Sequence, residues 1–79
     1  MSRYDDYNYT IDPVAIGARI KAACILQGIT SKDLQQALKL ASVQAVYRWY
    51  TGDNVPTVDN LACLSRYLHV SLDYLIFGR

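Results

Sequence analysis

The sequence predicts an all-α domain of five helices. Five segments carry apolar residues at helical spacing, and each follows a residue whose side chain can cap a helix N-terminus. No strand pattern, repeat or linker separates these segments. A length of 79 residues suits one domain, in which short loops leave most of the chain free to build a small core.

Residues 1–12 precede the first helix, and we interpret them as a flexible arm. Tyr4, Tyr7 and Tyr9 stand there among polar residues without helical or strand periodicity. One arginine and three aspartates give this segment a net charge of −2, which argues against binding to a polyanion. The chain therefore divides into an arm over residues 1–12 and a helical domain over residues 13–79.

Asp12 and Pro13 are predicted to begin the first helix. An aspartate caps the N-terminus, and a proline in the first helical position loses no hydrogen bond. Gly28 is predicted to end the helix. The residues expected on its buried face are Ile16, Ile20, Ala23 and Cys24.

The second and third helices are predicted to lie on either side of a sharp corner at residues 38–41. Thr30 and Asp33 can form a capping box at the start of the second helix, and Ser42 can cap the third. On the third helix, helical spacing separates two faces. The residues expected to face outward are Gln44, Tyr47 and Arg48, and those expected to face inward are Val46, Trp49 and Tyr50.

Thr57 and Ser71 are predicted to cap the fourth and fifth helices. The apolar residues expected to face inward are Val58, Leu61, Leu64 and Leu68 on the fourth helix and Leu72, Leu75 and Ile76 on the fifth. Cys24 and Cys63 each fall on an apolar helical stripe without metal-site spacing, so we expect both to be reduced core thiols.

Five short segments stand in a recognisable order and spacing: IGARIK, QGIT, RWYTG, VPTVDNL and VSLDYLIFG. With them the chain resembles, over residues 16–78, the Cro/C1-type helix-turn-helix domains of the Xre family of bacterial and phage regulators. The resemblance implies a five-helix, lambda-repressor-like helix-turn-helix fold and binding to double-stranded DNA.

The chain departs from the family's pattern at four positions and in the turn, which is expected to be one residue longer than usual. Ser31 stands where the family usually has Gln, and Lys39 stands near a usual Gly, so Lys39 is expected in a left-handed conformation. Cys24 and Tyr50 replace Arg and Glu. Because both members of a possible ion pair are lost together, we expect Cys24 to be buried in contact with Tyr50.

The outward face of the third helix carries the chemistry that reads bases. A glutamine amide pairs with adenine and an arginine guanidinium with guanine, and Gln44 and Arg48 lie one helical turn apart. Matched to the family's pattern, the positions expected to read bases are Val43, Gln44, Tyr47 and Arg48. Those expected near DNA phosphates are Ser31, Lys32, Thr51 and Asn54, and Lys39 can reach a phosphate as well.

Other functions find little support in the sequence. His69 is the only histidine and lies in a tight connection, no Gly-rich phosphate loop is present, and most aspartates fall at helix starts or loops. We therefore expect no catalytic residue, no metal and no cofactor. The N-terminus lacks the apolar core of a signal peptide and no segment is long enough to span a membrane, so we expect a cytoplasmic protein.

These observations lead to one hypothesis and one rival. Residues 13–79 carry a net charge of +3, which allows few phosphate contacts from one copy. We expect a sequence-specific DNA-binding transcriptional regulator, a repressor that binds a two-fold related site as a homodimer. The alternative is a protein-interaction module on the same scaffold, antitoxin-like or an anti-repressor, which binds another protein through the third helix.

Overall fold

The computed structural model describes residues 11–79, and within this range the chain forms five helices and no strand. The predicted arm lies outside the described residues except for its last two positions. The helices are α1 (Pro13–Gln27), α2 (Ser31–Ala37), α3 (Gln44–Thr51), α4 (Val58–Leu68) and α5 (Leu72–Phe77). The predicted all-α, five-helix architecture is confirmed.

Four of the five predicted caps are present. The Asp12 carboxylate accepts a hydrogen bond from the Ala15 amide at 3.2 Å. The hydroxyls of Thr57 and Ser71 accept bonds from amides in the first turns of α4 and α5. At the start of α2 the reciprocal box between Thr30 and Asp33 is complete, with both distances at 3.0 Å.

The predicted cap at Ser42 is wrong. Helix α3 begins at Gln44, after Val43, whose backbone already has helical angles and whose side chain makes no capping bond. The reason lies in the preceding turn, where the Leu40 amide donates to the Gln35 carbonyl at 2.9 Å. The Gln35 side-chain amide returns a bond to the Leu40 carbonyl at 2.7 Å. These contacts extend the turn along the chain, so the helix starts two residues after Ser42.

The core collects apolar side chains from all five helices. Its fully buried members are Ile16, Ile20, Ala23, Cys24, Leu34, Val46, Trp49, Leu64, Leu68 and Leu75. The predicted inward faces of α1 and α3 are confirmed, with Tyr50 packed at the edge of the core. Three inward predictions are wrong, because Val58 is 81% exposed, Leu72 is 43% exposed and Cys63 is exposed. Val58 and Leu72 occupy the first turns of their helices, which extend past the core, and Cys63 lies on the outer side of α4.

The backbones of helices α1 and α3 lie in close contact at Gly17. A Cβ atom added at Gly17 would lie 1.8 Å from the Trp49 carbonyl oxygen, so only glycine allows this approach. The far side of α1 is tied to α5, since the Arg19 guanidinium donates to the carbonyls of Leu75 and Ile76 at 3.2 and 3.1 Å. Helix α1 thus fixes α3 and α5 with respect to each other.

Candidate nucleic-acid interface

The start of α2 is organised by the capping box. The Thr30 backbone amide and then its hydroxyl hydrogen-bond the Asp33 carboxylate and lower its pKa. The carboxylate therefore stays ionised at the positive end of the helix, which it stabilises. Lys32 follows in the same turn and is exposed, as a phosphate-contacting residue must be.

The turn between α2 and α3 contains Lys39 in the left-handed region, with φ at 56°. This confirms the conformation expected from its position near a usual glycine. The Lys39 amide donates to the Gln36 carbonyl at 3.2 Å, which closes the end of α2. Its side chain is exposed on the turn that leads into α3.

Helix α3 has the two faces predicted for it. Gln44, Tyr47 and Arg48 are exposed, whereas Val46 and Trp49 are buried against the core. Tyr47 is 47% exposed, so much of its ring is available at the surface. Val43 is half-buried just before the helix. The face therefore presents an amide, a guanidinium and an aromatic ring at the surface.

A shallow depression of about 480 Å³ lies between α2 and α3. The residues that line it are Lys32, Gln35, Ala41, Ser42, Val43 and Tyr47. It brings Lys32, expected at the DNA backbone, beside Val43 and Tyr47, expected at the bases. Gln35 and Ser42 were not predicted for the site. Ser42 lines the depression because the later start of α3 leaves its hydroxyl without a capping role.

The other two predicted backbone contacts lie at the opposite end of α3. The Thr51 hydroxyl and the Asn54 amide both donate to the Arg48 carbonyl, at 3.3 and 3.2 Å. Gly52 ends the helix with φ at 84°. Thr51 and Asn54 are exposed, so the predicted phosphate contacts form two groups, one at each end of the exposed face.

Ser31 lies in a cluster with Tyr50 and Cys24. Burial is the main cause that raises the pKa of the Tyr50 hydroxyl, and hydrogen bonding with Cys24 adds to it, while hydrogen bonding with Ser31 lowers it. Burial likewise raises the pKa of the Cys24 thiol. Lys21 places its ammonium 6.0 Å from the centre of the Tyr50 ring. The expected burial of Cys24 in contact with Tyr50 is confirmed, and Ser31, half-buried, belongs to the same cluster.

Residues 11–79 contain neither a metal-binding cluster nor a membrane-spanning helix. No group of three or more His, Cys, Asp or Glu side chains in this range is placed to hold a metal ion. None of the helices in the same range has the length and apolar character needed to cross a bilayer.

Comparisons with known proteins find relatives of this chain that share the helix-turn-helix. A family model described as helix-turn-helix matches residues 20–75. The chain is 37% identical over 65 residues to the HTH-type transcriptional regulator DicA of Escherichia coli (strain K12). This match covers 82% of the chain and 47% of DicA, so the chain spans about half the length of that relative.

A solved structure shares the fold. It is the P22 c2 repressor protein in complex with synthetic operator 9T in the presence of Tl⁺, with a TM-score of 0.75 and 31% sequence identity. The match covers 81% of this chain and 96% of the repressor chain. The likeness therefore extends over nearly all of the solved domain.

Proposed function

The chain belongs to the Cro/C1-type helix-turn-helix family, and from this premise we propose that it is a sequence-specific DNA-binding transcriptional repressor. The observation that carries the proposal is the exposed face of α3. Val46 and Trp49 are buried on the opposite side of the helix, so this face points to solvent. One relative is named as a transcriptional regulator, and the similar solved structure is a repressor bound to a synthetic operator. Such a protein works on DNA in the cytoplasm and needs no catalytic group.

Base recognition is assigned to the exposed face of α3. Gln44 and Arg48 are one turn apart, so both reach the same groove, where an amide suits adenine and a guanidinium suits guanine. Tyr47 lies between them and Val43 at the edge, and both offer apolar surface to a thymine methyl group.

Backbone contacts are assigned to the two ends of this face. Lys32 is the strongest candidate, because it lines the depression beside Tyr47 and carries a full positive charge. Lys39 lies on the turn, and Thr51 and Asn54 lie beyond the C-terminus of α3. Ser31 is assigned to the same set, although its hydroxyl also interacts with the Tyr50 hydroxyl and is therefore less available to a phosphate.

We infer further that two copies act together on a two-fold related site. The helical domain carries a net charge of +3, and one copy presents only one recognition helix. Two copies double the base contacts and the phosphate contacts, and two-fold symmetry of the protein is then matched by that of the site.

The test is selection of bound duplexes from a random pool with the parent protein and with Gln44→Ala and Arg48→Ala. Each substitution is expected to relax the preference at one base position, with a loss of about 1 to 3 kcal/mol for the preferred base. Arg66→Ala on α4 removes an exposed arginine away from the face and serves as the matched control. If the variants and the parent select the same duplexes with equal affinity, the assignment of α3 as the reading helix is wrong.

The second candidate function is protein binding through the same face, and the exposed ring of Tyr47 favours it. The two functions respond differently to salt. DNA binding weakens steeply as salt rises because counterions are released from the phosphates, whereas an apolar protein interface changes little.

A further inference from the structure

The side chain of Gln35 connects α2 to the turn that leads into α3. Its amide nitrogen donates to the Leu40 carbonyl at 2.7 Å, near the short end of the usual range for such a bond. The Leu40 amide donates in the other direction, to the Gln35 backbone carbonyl at 2.9 Å. Both residues are half-buried, so this pair of hydrogen bonds is partly shielded from water.

No second side chain holds the turn in this way. The side chains of residues 34–47 make no other hydrogen bond within the described part of the chain. The next two residues, Ala41 and Ser42, are exposed, and neither forms a hydrogen bond with another described residue. Leu40 is therefore the last residue before α3 at which hydrogen bonds tie the turn to α2.

Gln35 also lies between the residues assigned to phosphates and those assigned to bases. Lys32 precedes it by three positions and so shares its side of α2, and both line the depression together with Val43 and Tyr47. Phosphate contacts fix the register of a protein on a duplex, and contacts with base edges read the sequence. The distance between these two sets of residues therefore decides which base edges α3 can reach, and Gln35 holds the turn that sets this distance.

We propose that Gln35 is a positioning residue for DNA recognition. Through its bond with the Leu40 carbonyl it fixes the start of α3 relative to Lys32. It reads no base itself, because its side-chain amide is engaged with the turn. The inference deepens the proposed function and rests on it.

Amide hydrogen exchange of the free protein tests the positioning role without DNA. Gln35→Met keeps the length of the side chain and removes the donor. We expect faster exchange at the amides of Val46 and Tyr47, which both donate to the Val43 carbonyl in the first turn of α3. The amides of α4 are expected to keep their protection, which shows that the fold is kept. Equal protection at the start of α3 in the variant and the parent overturns the proposal.

Gln36→Met is the matched control, because Gln36 is an exposed glutamine on the same helix whose side chain makes no hydrogen bond with another described residue. It is expected to exchange as the parent does. Gln35→Glu is a second variant, which stays polar and keeps the shape but has only acceptors when ionised. It is expected to lose the same protection as Gln35→Met, and it takes the place of that variant if the methionine prevents folding. Protection kept in Gln35→Glu, or lost equally in Gln36→Met, overturns the proposal.

Binding to the duplex obtained by selection, compared with binding to an unrelated duplex, tests the consequence for recognition. Gln35→Met is expected to lower the ratio of the two affinities roughly tenfold, which is within the discrimination of one good pair with a base. The slope of log affinity against log salt is expected to stay the same, because the phosphate contacts remain. Gln36→Met is expected to keep both the ratio and the slope. A ratio for Gln35→Met equal to that of the parent overturns the proposal.

A double-variant cycle with Arg48→Ala distinguishes positioning from direct contact. If Gln35 acts through the placement of α3, Gln35→Met costs less affinity in the Arg48→Ala protein, where one contact of α3 is already lost. An equal cost in both backgrounds overturns the proposal and indicates that Gln35 touches the duplex itself.

The two kinds of measurement separate this inference from the proposed function. A chain that binds no duplex selectively, yet loses protection at the start of α3 in Gln35→Met, refutes the proposed function and keeps Gln35 as the residue that places α3. Selective binding that Gln35→Met leaves intact refutes this inference alone.

Discussion

At the scale of single residues, Tyr50 joins two other positions where the chain departs from its family. Cys24 on α1 and Ser31 at the start of α2 both act on the pKa of its hydroxyl, Cys24 raising it and Ser31 lowering it. Its ring packs at the edge of the core. An apolar and weakly polar cluster therefore does here what an Arg–Glu pair can do in relatives, and it connects α3 to both preceding helices.

This contact predicts the outcome of substitutions at Tyr50. Tyr50→Ala is expected to lower the free energy of unfolding by about 2 to 4 kcal/mol, because it leaves a cavity beside Cys24. Tyr47→Ala, which removes an exposed ring from the same helix, is the control and is expected to change stability little. Urea unfolding measures both.

The contact between Cys24 and Tyr50 also predicts that substitutions at the two positions do not add in their effect on stability. Cys24→Arg or Tyr50→Glu alone puts an uncompensated charge at a buried or half-buried position, whereas the double variant restores the pair. The double variant is expected to be more stable than either single one. Additive losses would show that the two positions do not interact.

Lys32 is predicted to supply affinity and little sequence preference. Its ammonium neutralises one phosphate, so Lys32→Ala is expected to lower the slope of log affinity against log salt by about one. Titrations at several salt concentrations measure the slope, with Arg66→Ala as the control for a lost surface charge. An unchanged slope together with an altered base preference would mean that Lys32 contacts a base and not a phosphate.

At the scale of elements, the recognition helix is positioned by its contact with α1. The absence of a side chain at Gly17 lets the backbone of α1 meet the Trp49 carbonyl, and the Trp49 side chain is buried on the same side. The orientation of the exposed face of α3 therefore depends on a glycine that is far from the face itself.

Gly17→Ala is predicted to destabilise the protein although it improves helix propensity. Within an isolated helix the change would gain about 1 kcal/mol. The new Cβ would lie 1.8 Å from a backbone oxygen, which no side chain movement relieves. We expect the net loss to reach about 1 to 3 kcal/mol as for other overpacked sites, measured by urea unfolding.

Gly28→Ala is the control for Gly17→Ala, because it adds a Cβ atom to the same helix's C-terminal glycine, where space is free. Nothing lies within 4 Å of that position, so its cost comes only from a φ of +70°. This cost is about 1 kcal/mol. A Gly17→Ala protein as stable as the parent would mean that α1 and α3 can separate without loss.

At the scale of the whole molecule, the core that residues 11–79 form is built from residues after Asp12. Among the described residues the first fully buried side chain is Ile16 and the last is Leu75. Deletion of residues 1–10 is therefore expected to leave the melting temperature nearly unchanged. Thermal unfolding of the shortened and full chains measures this, and a fall of several degrees would show that the tyrosines of this segment pack against the domain.

The sequence by itself determined the elements whose signals are local. Asp12, Thr30, Thr57 and Ser71 cap their helices because a cap needs only its own next three residues. The two faces of α3 follow from helical spacing alone, and the left-handed Lys39 follows from its place at the end of α2. The resemblance to a known family added the roles proposed for the exposed residues.

Only the tertiary structure decided what depends on distant parts of the chain. Ser42 lost its expected cap in a turn that the side chain of Gln35 holds, and Val58, Leu72 and Cys63 are exposed although each lies on an apolar stripe of its helix. Spacing reports which side of a helix is apolar, but burial requires a second element at that side.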